Sequence, residues 1–252
     1  MISAGAVPKL VALLRQRSTT EEVRSNVVDA LAHITAGDTA ARKSIVSAGA
    51  LPLLVSELDA TPINETSSAA MALNNVMAAL PDTRAQVLAA GPLPALISRL
   101  RSSNGEVQEE TATVLRSLTL HCPQHQLQLL GAGALPPLIA LLTRGSARAQ
   151  EQAAGLLVIL TSHPEGRVPA ISAVQPLLQL IRLPSASVGL RQEAAQVLVN
   201  LAADVKTAAA MFDEGGVAIL GDMLRQGEAS DRCAVCWNCG CAEGRYSYAS
   251  WG

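Results

Sequence analysis

Apolar residues along this chain come in short runs at helical spacing, and the runs themselves recur at a period near 42 residues. Residues 80–121 hold one full period. Val87 and Leu88 lie within Asp82–Ala90, a short amphipathic stretch closed by Gly91, a residue able to take the left-handed conformation that ends a helix. Pro94 then marks a new helix start, where its missing N–H costs nothing, and Leu93, Leu96, Ile97 and Leu100 form its apolar side. After the polar break Arg101-Ser102-Ser103-Asn104-Gly105, a third helix is predicted from about Glu106 to Leu120. It carries Val107, Thr111, Val114, Leu115 and Leu118 on one side.

The corner between the first two helices returns six times. It reads Gly5-Ala6-Val7-Pro8, Gly49-Ala50-Leu51-Pro52, Gly91-Pro92-Leu93-Pro94 and Gly133-Ala134-Leu135-Pro136, then degrades to Ser172-Ala173-Val174-Gln175-Pro176 and Gly215-Gly216-Val217-Ala218. Successive copies start 44, 42, 42, 39 and 43 residues apart, the window of helical solenoid repeats with two or three helices. The third-helix core slots follow the corner in register. They hold Val23, Val27, Ala30, Leu31 and Ile34; Glu65, Ala69, Ala72, Leu73 and Val76; Ala149, Ala153, Leu156, Leu157 and Leu160; and Leu190, Ala194, Val197, Leu198 and Leu201. The pattern predicts an all-α solenoid of about five full repeats plus a partial sixth. Repeats fall at about 1–37, 38–79, 80–121, 122–163 and 164–203, with a partial copy over 204–226 and a tail over 227–252.

Composition narrows the partners. Only 16% of residues are charged, below the roughly 25% usual for soluble domains, as befits helices covered on both sides. Net charge is −2 with Lys and Arg spread along the chain, so no basic stripe is present for nucleic acid. The window 117–143 lacks Asp, Glu, Lys and Arg, but Pro123, Gly131, Gly133, Pro136 and Pro137 break it into runs shorter than the ~20 residues of a membrane span. With no signal-peptide pattern at the N-terminus, a cytoplasmic or nuclear location with reduced cysteines is expected.

Three helices, the Gly-apolar-Pro corner and this period together resemble the armadillo repeat, over residues 1 to about 226. HEAT repeats, usually two-helical and without the regular Gly corner, are the nearest alternative. The resemblance implies a right-handed superhelix whose third helices line a concave groove, often holding an extended peptide. On that face the slot before the final apolar residue holds His33, Asn75, Ser117, Ile159 and Asn200. One turn earlier stand Asp29, Met71, Thr113, Gly155 and Gln196. In importin-α-like members these slots are mainly Asn and Trp; here Asn75 and Asn200 match and no Trp does, which weakens a nuclear-import reading. A basic, catenin-like groove is not matched either, because Glu22, Glu106, Glu109, Glu110, Glu151 and Glu193 face Arg24, Arg116 and Arg148.

The candidate peptide-binding residues are therefore Asp29, His33, Met71, Asn75, Thr113, Ser117, Gln196 and Asn200. An Asn amide offers a donor and an acceptor to an extended backbone, although Asn75 and Asn200 read equally as polar residues on a solvated face. With helices about 9 Å apart, such a face would take about 12 to 14 extended residues. The expected partner is a protein or linear peptide, neutral to mildly basic, with no nucleic acid and no direct membrane insertion.

No catalytic constellation or cofactor motif emerges. His33, His121, His125 and His163 fall in different copies, without His-Glu-x-x-His or a Gly-rich strand-to-helix loop. Cys233, Cys236, Cys239 and Cys241 form a C-x2-C-x2-C-x-C run, whereas zinc sites normally use two ligand pairs separated by a longer loop. Aligning Ala234–Cys239 with Gln196–Leu201 places Cys236 and Cys239 in core slots instead, as small hydrophobes of a shortened third helix. Both Trp and both Tyr lie beyond residue 236. With an opening copy that starts mid-helix, this tail is the pattern expected of a fragment, a splice form or a shifted reading frame. The expected function is a non-catalytic binding scaffold. The alternatives are the substrate-recognition part of a larger enzyme, such as a U-box ubiquitin ligase, and an importin-like transport adaptor.

Overall fold

The computed structural model describes residues 6–16, 19–37, 39–61 and 67–226. The expected core slot Glu65, the cysteine run and the tail over 227–252 lie outside the described residues. The chain divides into two compact units, 1–125 and 126–252.

In the first unit, α1 (Ala6–Arg15), α2 (Glu21–Ala36), α3 (Thr39–Ser47), α4 (Leu51–Ala60), α5 (Ser68–Ala79), α6 (Thr83–Ala89), α7 (Leu93–Arg99) and α8 (Gly105–Thr119) take the predicted order of short, second and third helices. Each second helix packs on its own third helix, α1 on α2, α4 on α5 and α7 on α8, and the third helices α2, α5 and α8 lie side by side. A helix α9 (Pro123–Gly131) runs from the end of this unit into the next. The second unit continues with α10 (Leu135–Arg144), α11 (Ala147–Ser162), α12 (Pro164–Arg167), a 3-10 segment (Val168–Ala173), α13 (Val174–Arg182), α14 (Val188–Ala202), α15 (Val205–Asp213) and α16 (Gly216–Gln226). There α10 packs on α11, α13 on α14, and α11 beside α14.

The corners behave as their chemistry dictates. Gly91 and Gly133 sit at φ +80 and +79, the left-handed region that costs other residues about 1–2 kcal/mol, and each is followed by a helix with proline in its first turn. In the fifth copy Ser172 replaces the glycine. No left-handed residue forms there; the chain winds through the 3-10 segment and enters α13 from Ala173 at φ −78.

The third helices start alike. Thr20, Ser67, Asn104, Ser146 and Ser187 each accept a backbone N–H of the first turn through the side-chain oxygen, worth about 1 kcal/mol per cap. A second recurrent group closes the break before them. Arg24, Gln108, Gln150 and Arg191 donate to the carbonyls of Leu14, Ser102, Leu142 and Ala186, at 3.4, 2.7, 3.1 and 3.0 Å.

The core slots predicted for α8, α11 and α14 are buried, as are Ala69, Ala72, Leu73 and Val76 of α5. The first copy departs from expectation: Val27 and Leu31 are buried, but Val23 is exposed and Ala30 and Ile34 are half-buried. No described helix packs on that outer side of α2, so only the inward half of its stripe is covered.

Candidate functional site

On the third-helix face of the first unit, Asp29 and His33 of α2 are exposed, as is Met71 of α5; Asn75 of α5 and Thr113 and Ser117 of α8 are half-buried. The three helices bring these six residues together in two rows. Asp29, Asn75 and Ser117 are tied across the helices. Ser68 Oγ donates to Asp29 Oδ1, Asn75 Nδ2 to Thr35 Oγ1 at 3.3 Å, and Ser117 Oγ to Asn74 Oδ1 at 2.6 Å. Thr113 Oγ1 donates within its helix to Glu109 O at 2.8 Å. The central helix α5 carries no charged residue, so the middle of this face is a neutral strip with one exposed thioether.

Beneath one edge of the face lies a buried ionic group that the sequence reading did not single out. Arg99 of α7 is 2% exposed. Its guanidinium donates to Leu58 O at 3.2 Å and to Thr61 O at 2.8 Å, satisfying carbonyls at the C-terminal end of α4 that the helix leaves open. Glu110 of α8 accepts the backbone N–H of Ser67 at 3.1 Å. Ser67 is the N-cap of α5, and in a capping box the third helical residue would make this bond; that residue is Ala70, so Glu110 reaches in from the next helix instead. A direct ion pair joins Arg24 of α2 to Glu57 of α4.

Burial raises the Glu110 carboxyl above the ordinary carboxylate range, against the opposing pull of the Ser67 N–H, the Arg99 cation and the Met71 N–H. In the window between its ordinary pKa and the raised folded one, folded Glu110 binds more proton than the unfolded chain does. Stability therefore falls as pH rises through that window. The free energy of unfolding of the native chain minus that of Glu110→Gln should accordingly increase on acidification from pH 7 toward 4.5. Urea titrations at several pH values check this, and a difference that stays flat or shrinks refutes it.

In the second unit, Gln196 and Asn200 share a turn of α14 and are half-buried. Asn200 Nδ2 donates to Val158 O and Thr161 Oγ1 of α11, both at 3.1 Å, and Gln196 Nε2 donates to Asn200 Oδ1 at 3.2 Å. Asn200 thus ties α14 to α11, as Asn75 ties α5 to α2. In both cases the acceptor is a buried threonine, Thr35 or Thr161, placed just after the final apolar slot of the preceding third helix. Asn–Thr pairing between neighbouring third helices is a tie that reading one slot at a time misses. Gly155 is buried and Ile159 half-buried, so the fourth copy offers no polar group in these slots.

Among the described residues no three His, Cys, Asp or Glu side chains gather in a way that could hold a metal ion; Cys233, Cys236, Cys239 and Cys241 lie outside them. No single described helix is long and apolar enough to cross a membrane, and the apolar stretch Pro123–Gly131 with Leu135–Arg144 is bent by 84° at its break.

The sequence pattern of the armadillo/beta-catenin-like repeat matches residues 1–36 and 122–162. No curated protein matches the chain. Among solved structures, an engineered protein is 30% identical, with a TM-score of 0.78 over 92% of this chain and 95% of its own. A computationally designed armadillo repeat protein for modular peptide recognition aligns at 22% identity and TM-score 0.81, over 92% of this chain and 98% of its own. Another designed armadillo repeat protein, crystallised with the peptide (KR)4, aligns at 21% and 0.77, over 93% and 98%. The left-handed glycine corners, the capped third helices lying side by side and these matches carry one conclusion: the chain is an armadillo-type α-solenoid and belongs to the armadillo repeat family.

Proposed function

We propose that this protein is a non-catalytic binding scaffold whose third helices hold an extended peptide segment of a partner protein, neutral to mildly basic. The observation that carries the reading is the face of α2, α5 and α8 in the first unit. Asp29, His33, Met71, Asn75, Thr113 and Ser117 stand there in two rows on helices locked together by side-chain hydrogen bonds. A surface pre-organised in this way loses little entropy on binding. Met71 is the exposed anchor, a flexible thioether that adapts to varied apolar side chains, while exposed Asp29 and Glu106 favour a basic residue at the flanks. The fold shared with a designed protein crystallised with (KR)4 supports a peptide as the class of ligand.

The test is selection from a displayed library of random peptides about 12 residues long, followed by titration of the enriched sequences. Met71→Arg, on an exposed site and with a good helix former, should weaken binding at least about tenfold with little change in melting temperature. Asn75→Ala should weaken it too and lower stability by about 1 kcal/mol through the lost bond to Thr35. A library that yields no binder, or binders indifferent to Met71→Arg, would sink this reading.

A further inference from the structure

Charge is shared unevenly among the helices of the first unit. Helices α1 and α3 carry Lys9, Arg15, Arg42 and Lys43 and no Asp or Glu, in a chain whose net charge is −2. Arg42 serves the end of α2, where its Nε donates to Thr35 O at 2.7 Å, while Lys9, Arg15 and Lys43 are exposed. The two helices pack on each other. Between them lies a cleft of about 360 Å³, lined by Pro8, Val11, Arg15, Ser44, Ser47 and Ala48, within the range of ~300–1,000 Å³ common for ligand pockets.

Arg15 is held in place at this cleft. Its Nη2 donates to Ala48 O at 2.7 Å, a carbonyl just past the end of α3, and the guanidinium lies against the corner glycine. A Cβ at Gly49 would stand 2.8 Å from Nη2, so any other residue there would displace the guanidinium. At Gly91, the next left-handed corner of the unit, nothing comes within 4 Å of such a Cβ. In that copy the slot of Arg15 holds Asp59, so the arrangement is not repeated. The bond to Ala48 leaves the guanidinium with further donors. Ser47 Oγ donates to Ser44 O at 3.1 Å, a bond that rotation of the hydroxyl exchanges for one to a ligand. Lys43 stands one turn before Ser47 on the same side of α3.

We infer that this cleft binds a phosphate monoester carried on a side chain of a partner protein, with Arg15 and the hydroxyls of Ser44 and Ser47 on its oxygens. A planar guanidinium matches phosphate geometry, and Pro8 and Val11 give the stem that carries the phosphate an apolar wall. A phosphate monoester bears close to two charges near neutral pH, so the field of Lys9, Arg15 and Lys43 draws it more strongly than a single carboxylate. The net charge of −2 opposes adsorption to an anionic bilayer, which leaves a protein as the carrier. The cleft belongs to α1 and α3, away from the third helices, and does not depend on the peptide reading above.

Titration of the full chain with N-acetyl-phosphoserine amide, followed through the backbone amide NMR signals of Ser44, Ser47, Ala48 and Gly49, tests this. Those signals should shift saturably. Arg15→Gln should weaken binding at least about tenfold, the loss of a bond to a charged group, with helix content unchanged. Ser47→Ala, which keeps the Arg15 bond to Ala48, should weaken it by about threefold or more and so separates lost recognition from lost packing. No saturable shift, or one that Arg15→Gln leaves unchanged, would overturn the proposal. So would equal affinity for N-acetylglutamic acid amide, which makes the cleft a general carboxylate site, or for inorganic phosphate, which makes it a site for an adventitious ion only. Capture by phosphatidylserine vesicles that depends on Arg15 would assign the cleft to a membrane instead.

Discussion

Arg99→Ala is expected to destabilise the first unit by about 2–5 kcal/mol, the cost of emptying the space of a buried side chain and leaving the carbonyls it serves without their donor. Three losses add. Leu58 and Thr61 keep carbonyls without the guanidinium that serves them, Glu110 loses its nearby cation, and the space filled by a 2%-exposed side chain empties. Lysine should restore only part of this, because a point charge on a flexible stem does not reproduce a guanidinium serving two carbonyls at once. Urea denaturation of Arg99→Ala, Arg99→Lys, Glu110→Gln and the Arg99→Ala/Glu110→Gln double variant measures both the loss and its coupling. A cost below about 1 kcal/mol for Arg99→Ala would mean the cluster behaves like an exposed ion pair. The effect reaches the proposed site as well. Arg99 closes the end of α4 and Glu110 the start of α5, so they hold the helix that presents Met71 and Asn75, and peptide affinity should fall along with stability.

Gly166→Ala should cost the second unit about 3 kcal/mol, at the upper end for forcing extra volume into a packed site. A Cβ at Gly166 would stand 2.1 Å from the carbonyl oxygen of Leu160 and 2.9 Å from its carbon. Both are backbone atoms at the end of α11, so no side chain can rotate away. The four-residue helix α12 must move, and with it the path into the 3-10 segment. Gly131→Ala is the matched control, since nothing lies within 4 Å of its added Cβ and its φ is not left-handed; that change should be neutral or slightly stabilising. Thermal unfolding of the pair provides the comparison, and equal melting temperatures would refute the steric account.

Much of the fold was legible in the chain because its signals are local. Gly91 and Gly133 are identifiable as corners by the leucine and proline just after them, Leu93-Pro94 and Leu135-Pro136, and Ser67, Asn104, Ser146 and Ser187 stand where a helix must begin. The buried charges left a trace too. Counted from the corners, Glu57 and Arg99 fall in the column occupied by Leu141, Leu180 and Met223, and a charge in an apolar column calls for a partner. Naming the partners required three dimensions. Arg99 reaches the Leu58 and Thr61 carbonyls, 41 and 38 residues before it, and Arg24 is 33 before Glu57, separations longer than any one helix of the chain.

The sequence by itself determined the helix order, the register of the repeat and the residues that face outward from each third helix, since periodicity along one helix settles which side is apolar. The tertiary structure decided what those outward residues do. Asn75 and Asn200 occupy one slot, yet whether an amide remains for a ligand depends on the atoms of the neighbouring helix. Asn200 finds both Val158 O and Thr161 Oγ1 on α11, while Asn75 makes a single, longer bond to Thr35. A side chain's slot comes from its own helix, but its hydrogen-bond partners depend on how far the adjacent helix is offset, a quantity set by packing across the whole contact.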